Sequence, residues 1–301
     1  MRRLRRLTWR RWLLILLAVA AVPVVILYGK WREASRRGGQ LAVEPFRIAG
    51  NLYYVGANDV TSFLLTGPEG HVLIDGGYPG TAPMIMESIG RLGFDIADVK
   101  ILLNSHAHYD HAGGLAALQE ASGAELWISE GDADVVAAGG AGDPNLGFFR
   151  FLTYLPIFRY QRPRVDHRFT DGATVRVGPI ELTAHVTPGH TRGCTTWAFP
   201  VRDGDRTLRV LHRCSLGAPP ALSLPRPDPR IRTDLEQTFR TLRTLPVDIW
   251  VSAHAREFGR WRKLQERARV ADPVAPFIDP EGYLAAIDSA ERRLRQQLAD
   301  D

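Results

Sequence analysis

The feature that most constrains this chain is six residues long: His106-Ala107-His108-Tyr109-Asp110-His111. His106 and His108 are two apart, so on an extended segment their side chains point the same way. Asp110 and His111 fall where the chain turns into a helix beginning near Ala112. One short stretch thus offers two ligand pairs aimed differently, which is what two adjacent metal ions need. Two more histidines stand at strand ends. His190 lies in a turn between Thr187-Pro188-Gly189 and Thr191-Arg192-Gly193, and His254 closes VDIWVSAH. A lone histidine is usually structural, but this clustering reads as a metal site. Imidazole and carboxylate ligands suit zinc, and cobalt or iron less exclusively.

Strand and helix patterns alternate around these residues. LYYVG, SFLLTG and HVLIDGG are short β-rich runs punctuated by glycine. Helical patterns follow at 83–92 and 113–121, with the buried-type strand DVKILLNSHAH between them and ELWIS after them. Residues 139–165, rich in Gly, Pro and aromatics, read as a long functional loop. HRFT, ATVRVG and IELTAHVTPGH read as strands. CTTWAFPV and TLRVLHRC form a hairpin around Asp203-Gly204-Asp205. An amphipathic helix at 231–245, the strand VDIWVSAH and a charged helix at 280–298 complete the chain. Strands first and helices after, twice over, predict an α/β (α+β) fold with two packed sheets and helices outside.

The formal charge of +5 hints at nucleic acid, but it is unevenly placed. Residues 1–39 hold ten Lys/Arg and one acid, leaving 28 basic and 32 acidic residues in 40–301. No basic stripe for nucleic acid remains. Six arginines precede the uncharged run WLLILLAVAAVPVVILY, residues 12–28. That pattern reads as a signal peptide or a retained signal anchor. As a helix the run would cover about 25 Å, just under a ~30 Å hydrocarbon core. Residues 29–40 read as a linker and 41–301 as the folded domain. The expectation is a periplasmic or otherwise extracytoplasmic protein, secreted or tethered to the inner membrane through residues 12–28. An exported chain could pair its two cysteines, Cys194 and Cys214.

NSHAHYDHAGG (104–114), TPGHTRG (187–193), VSAH (251–254) and VLIDGG (72–77) together resemble the metallo-β-lactamase superfamily. The resemblance runs from residue 45 to about 298. It implies an αββα sandwich with metals at one edge. It says less about substrate, since lactonases, thioester hydrolases and nucleases share the fold. Two features resemble the third subclass of class B (zinc) β-lactamases. Many other members carry a bridging aspartate after the hairpin, whereas HRCSLGAP (212–219) has Ser215 and no acid. GHTRGCTTW (189–197), HAREFG (254–259) and PFIDPEGY (276–283) also resemble that subclass in wording and order.

This resemblance implies two zinc ions per chain, one held by His106, His108 and His190, the other by Asp110, His111 and His254. It implies hydrolysis of a small-molecule β-lactam (penicillin, cephalosporin or carbapenem) by a metal-bound hydroxide that Asp110 orients. Ser215 is the candidate for the substrate carboxylate. Asp75 is expected to support the metal loop from behind. The first subclass instead uses a cysteine near Cys214 as a ligand, but the company of Asp110-His111 favours His111. A Cys194–Cys214 disulfide is expected, as in some third-subclass enzymes. Two departures stand out: Arg192 replaces a common proline, and Gly217 replaces a second serine that helps hold the substrate. Another hydrolase on the same fold, such as an acyl-homoserine lactonase or thioesterase, is the alternative, ahead of a non-catalytic metal-binding scaffold.

Other residues read as structural. His185, His71, His167 and His212 are expected in packing or at the surface, and Trp197 and Trp250 in the core. Phe148, Phe149, Phe151, Tyr154, Ile157 and Phe158 of the long loop either cover apolar substrate groups, pack on the domain, or touch a membrane.

Overall fold

The structure, a computed structural model, describes residues 39–217 and 230–300, with Trp12, Val22 and Gly29 as isolated positions. The expected signal or anchor segment and most of the linker lie outside the described residues. Among the described residues, no helix is long and apolar enough to cross a membrane.

Seven strands form the first sheet in chain order: β1 (Phe46–Ala49), β2 (Leu52–Tyr54), β3 (Phe63–Leu65), β4 (His71–Ile74), β5 (Val99–Leu103), β6 (Glu125–Ser129) and β7 (His167–Phe169). Pairing is antiparallel up to β4 and parallel from β4 to β7. The second sheet runs β12-β11-β10-β9-β8. It comprises β8 (Thr174–Val177), β9 (Ile180–Val186), β10 (Thr195–Asp203), β11 (Arg206–Arg213) and β12 (Ile249–Ser252), antiparallel except for the β11–β12 pair. HRFT, read with the second half of the sequence, thus belongs to the first sheet as β7.

The period-two alternation of the central strands separates two apolar layers. In β4 and β5, Val72, Ile74, Ile101 and Leu103 face Leu182, Trp197 and Val210 of the second sheet. Leu73 and Leu102 face the other way, onto Ile85 and Ile89 of α1 (Ala82–Arg91) and Leu115 and Leu118 of α2 (Leu115–Ser122). Two further helices, α4 (Arg230–Thr244) and α6 (Pro280–Asp300), cover the outer face of the second sheet through Phe239, Tyr283 and Ile287. Helix, sheet, sheet, helix is the expected αββα order, and Trp197 and Trp250 are core residues as expected.

Three elements escaped the sequence reading: β1, the eight-residue α3 (Glu130–Ala137) and α5 (Arg260–Arg267). The long loop contains two 3-10 segments, Pro144–Tyr154 and Pro156–Phe158. β4 and β5 end side by side, so Asp75 and the stretch after Leu103 emerge at one edge of the sandwich. β12 ends at the same edge, where Val60 bridges His254.

Cys194 and Cys214, 20 positions apart in sequence, form a disulfide with Cα atoms 5.9 Å apart. It joins the entry to β10 with the exit from β11, and it removes Cys214 as a metal ligand. Closing a loop of this length restricts the unfolded chain by about 3 kcal/mol. Replacing both cysteines by serine should lower unfolding stability by that order in a denaturant titration. An unchanged midpoint would mean the bridge adds nothing to folding.

Candidate metal centre

The centre is built around Asp75, the residue after β4. Asp75 is fully buried and has φ of 65°, the left-handed conformation that few residues other than glycine adopt. Its Oδ1 accepts from the Ser105 amide at 2.6 Å and from Asn104 Nδ2 at 3.0 Å, and its Oδ2 from Ser105 Oγ at 2.7 Å. Oδ2 also lies 3.3 Å from His111 Nδ1. Burial pushes this carboxyl up, but His111, His212 and Ser105 outweigh burial and hold it below the usual carboxylate range.

The backbone repeats the connection. The Gly76 amide donates to the His111 carbonyl at 2.8 Å and the Gly114 amide to the Gly77 carbonyl at 3.1 Å. A Cβ on Gly114 would sit 2.2 Å from the Gly76 carbonyl oxygen, so only glycine permits the approach.

His106 and His111 form the buried floor, while the His108, Asp110 and His254 side chains are 28%, 25% and 13% exposed. Donor atoms of His106, His108 and His190 all lie within 4.8 Å of one another, as do those of His106, Asp110 and His111. Asp110 Oδ2 is 3.3 Å from His111 Nε2 and 3.7 Å from His254 Nε2. The structure therefore brings together all six residues expected from the sequence.

Four of the histidines place their other ring nitrogen beside a polar group, an arrangement that fixes ring orientation and the identity of the donor atom. Ser105 Oγ lies 3.0 Å from His106 Nδ1 and relays Asp75 to that ring. Asp143 Oδ2 is 3.4 Å from His108 Nε2, Asp59 Oδ2 is 3.2 Å from His254 Nδ1, and the Gly217 carbonyl is 2.7 Å from His190 Nδ1. Asp132 ties two loops together, accepting from the Ala107 amide, Thr191 Oγ1 and the Gly193 amide at 2.7–2.8 Å. Its approach requires Gly193, whose Cβ would lie 2.1 Å from Ser129 Oγ. Asp59, Asp132 and Asp143 escaped the sequence reading. Asp59 reaches its histidine across 195 residues, and nothing local marks it.

The electrostatics suit a cation. Burial, then neighbouring histidines, push His106 well below its ordinary pKa, and burial with His108 lowers His190 to about 3. Both rings are neutral at pH 7, with lone pairs free to bind. Burial also disfavours the His111 imidazolium, yet Asp110 and Asp75 override it and raise that pKa to about 10. Asp110 is held far below the carboxylate range, because His111 and His254 outweigh the effect of burial. His106 Nε2 and both ring nitrogens of His111 are closed off from solvent and make no hydrogen bond. Buried nitrogens of this kind are costly unless something binds them. This N/O donor set fits a divalent metal of the zinc type.

Ser215 is 4% exposed and its Oγ is also closed off, without a hydrogen-bond partner. The remaining histidines are structural. His212 is buried 3.9 Å from Asp75, His71 packs on Phe94, and His167 stacks on Trp127 at the surface. His185 is only partly buried.

A family model described as the metallo-beta-lactamase superfamily matches residues 55–254. The chain belongs to the metallo-β-lactamase superfamily. It is similar to the solved Rm3 metallo-β-lactamase, with 40% identity, a TM-score of 0.79, and coverage of 87% of this chain and 96% of that one. It is also similar to BJP-1, a subclass B3 metallo-β-lactamase of Bradyrhizobium japonicum, with 30% identity, a TM-score of 0.80, and coverage of 88% and 97%. Among curated proteins, a hydroxyacylglutathione hydrolase of Jannaschia sp. is 29% identical over 142 residues, 47% of this chain and 44% of that protein. The chain thus spans less than half the length of that relative. Together these place the protein among the metallo-hydrolases.

Two outcomes follow for this metallo-β-lactamase centre. Asp75→Asn weakens the hold on His111 and Ser105 together and should lower zinc affinity about 10- to 100-fold in a competitive chelator titration. Unchanged affinity would remove Asp75 from the support of the site. Because His111 carries a proton at pH 7 in the metal-free protein, metal binding should release at least that proton. Calorimetry in buffers of different ionisation enthalpy reads this directly, and a buffer-independent heat would contradict it.

Proposed function

We propose that this chain is a zinc-dependent β-lactamase that hydrolyses the lactam amide bond of penicillins, cephalosporins or carbapenems. The observation that carries the reading is the second ligand group. His111 is turned by Asp75 onto Asp110, facing His254, while the exit of β11 presents Ser215 and no carboxylate. Likeness to B3 β-lactamase structures over nearly their whole length supports the same reading.

His106, His108 and His190 would hold one zinc, and Asp110, His111 and His254 a second. Bound there, zinc supplies a water made nucleophilic near neutral pH and polarises the carbonyl under attack. The protein's own groups do the rest. Asp110, ionised and one-quarter exposed, lies at the mouth between the two groups and orients the attacking water. Asp75, Asp59 and Asp143 keep the rings from turning away. Ser215 would meet the substrate carboxylate, directly or through water. No side-chain nucleophile is required, so no covalent acyl intermediate forms. We further propose that the N-terminal segment directs the protein out of the cytoplasm. The similarity to a hydroxyacylglutathione hydrolase supports thioester hydrolysis as the second reading.

Hydrolysis of a carbapenem by the zinc-loaded chain should be abolished by a chelator and fall by about a hundredfold in His111→Ala. Ser215→Ala should raise KM about tenfold with little change in kcat, the loss of one hydrogen bond to the substrate. Two bound zinc ions with no lactam turnover, but with thioester turnover, would overturn the β-lactamase reading.

A further inference from the structure

The long loop over residues 139–165 carries a feature that hydrolysis does not use. Phe151, Leu152, Tyr154, Leu155, Ile157 and Phe158 are all exposed, Tyr154 by 61% and Phe151 by 53%. These are six of the thirteen large apolar side chains exposed among the described residues, gathered within eight positions. Exposed apolar side chains gathered in this way mark an interaction surface.

The sequence around it indicates the partner. Residues 144–162 contain Arg150, Arg159 and Arg162 and no acidic residue, within a domain that otherwise carries more acids than bases, while Arg164 is already ion-paired to Asp166. Aromatic and aliphatic tips flanked by arginines, on a segment free of carboxylates, match the boundary between anionic headgroups and acyl chains. A second observation concerns reach. The apolar run of the sequence ends at Tyr28 and the continuously described chain begins at Gly39. Even at full stretch, that interval spans no more than about 40 Å. A membrane-held N-terminus would keep the domain within reach of the bilayer surface.

The base of the loop is bonded to the metal centre. Asp143 lies 3.4 Å from His108, Asn145 Nδ2 donates to the His190 carbonyl at 3.1 Å, and Tyr160 Oη donates to the Ala107 carbonyl at 2.9 Å. We propose that residues 150–159 dock the domain on an anionic phospholipid surface and turn the His108 side of the metal centre toward the bilayer. Amphiphilic substrates concentrated at that surface would then reach the site laterally. Docking would weaken with salt as the arginine attraction is screened.

The test reads depth, because the leader alone could bring the chain to a vesicle. Both native cysteines are paired, so an introduced one is the sole free thiol. In the full chain, Tyr154→Cys carries a polarity-sensitive fluorophore. A parallel Glu69→Cys label sits at the far end of β4 from Asp75, in the exposed β3–β4 turn. On vesicles of phosphatidylglycerol and phosphatidylethanolamine, brominated acyl chains should quench the label at 154 several-fold more than the label at 69. Arg150→Glu with Arg162→Glu should remove most of the difference. Equal quenching at both positions, a failure of the chain to associate with vesicles, or a response at 154 to added lactam but not to lipid would each overturn the proposal. The last outcome would make the loop a substrate cover.

Discussion

One buried carboxylate organises the functional edge of this protein. Asp75 contacts Asn104, Ser105 and His111, and through Ser105 it reaches His106. A charge taken fully out of water is tolerated only when its lone pairs are filled, and here both oxygens are used. The left-handed backbone at Asp75 is what aims the side chain back under the loop after β5. Local strain of this kind persists where the surroundings over-determine it. The metal-binding loop is therefore positioned by the end of a neighbouring core strand rather than by its own short sequence.

The same logic extends outward. Asp132, Asp143 and Asp59 each occupy a different element, and each fixes one part of the centre. The disulfide links the strand that follows His190 to the strand that precedes Gly217, whose carbonyl holds His190 in turn. Both candidate ligand groups are thus braced from the two sheets at once. That explains why rings whose donor atoms lack hydrogen bonds stay converged instead of turning toward solvent.

Much of this was legible in the sequence, for a physical reason. Metal ligands are few residue types at restricted spacings, and His106 to His111 state the chemistry in one line. The strands were legible because β4 and β5 are near-continuous apolar runs between glycines and polar residues. Apart from Asp75, the supporting carboxylates were not. Asp59 and Asp143 look like ordinary loop aspartates until the fold sets them beside His254 and His108. Helix α3 was hidden by Gly131 in its first turn and by its length of only eight residues, although Asp132 within it locks the metal loop. Ser215 stands out through the residues around it, but the burial of its hydroxyl is not legible in the sequence, because depth at a strand exit is set by segments far away in sequence.

The order of the ligands along the chain has a consequence for biosynthesis. A nascent polypeptide that has emerged through β7 already carries His106, His108, Asp110 and His111, yet neither of the two proposed ligand triplets is complete. The first awaits His190, between β9 and β10, and the second awaits His254, beyond the last strand. Tight capture of a metal by those triplets would thereby be deferred until both sheets exist. A metal so held would work as a late clamp that favours finished molecules over partial ones.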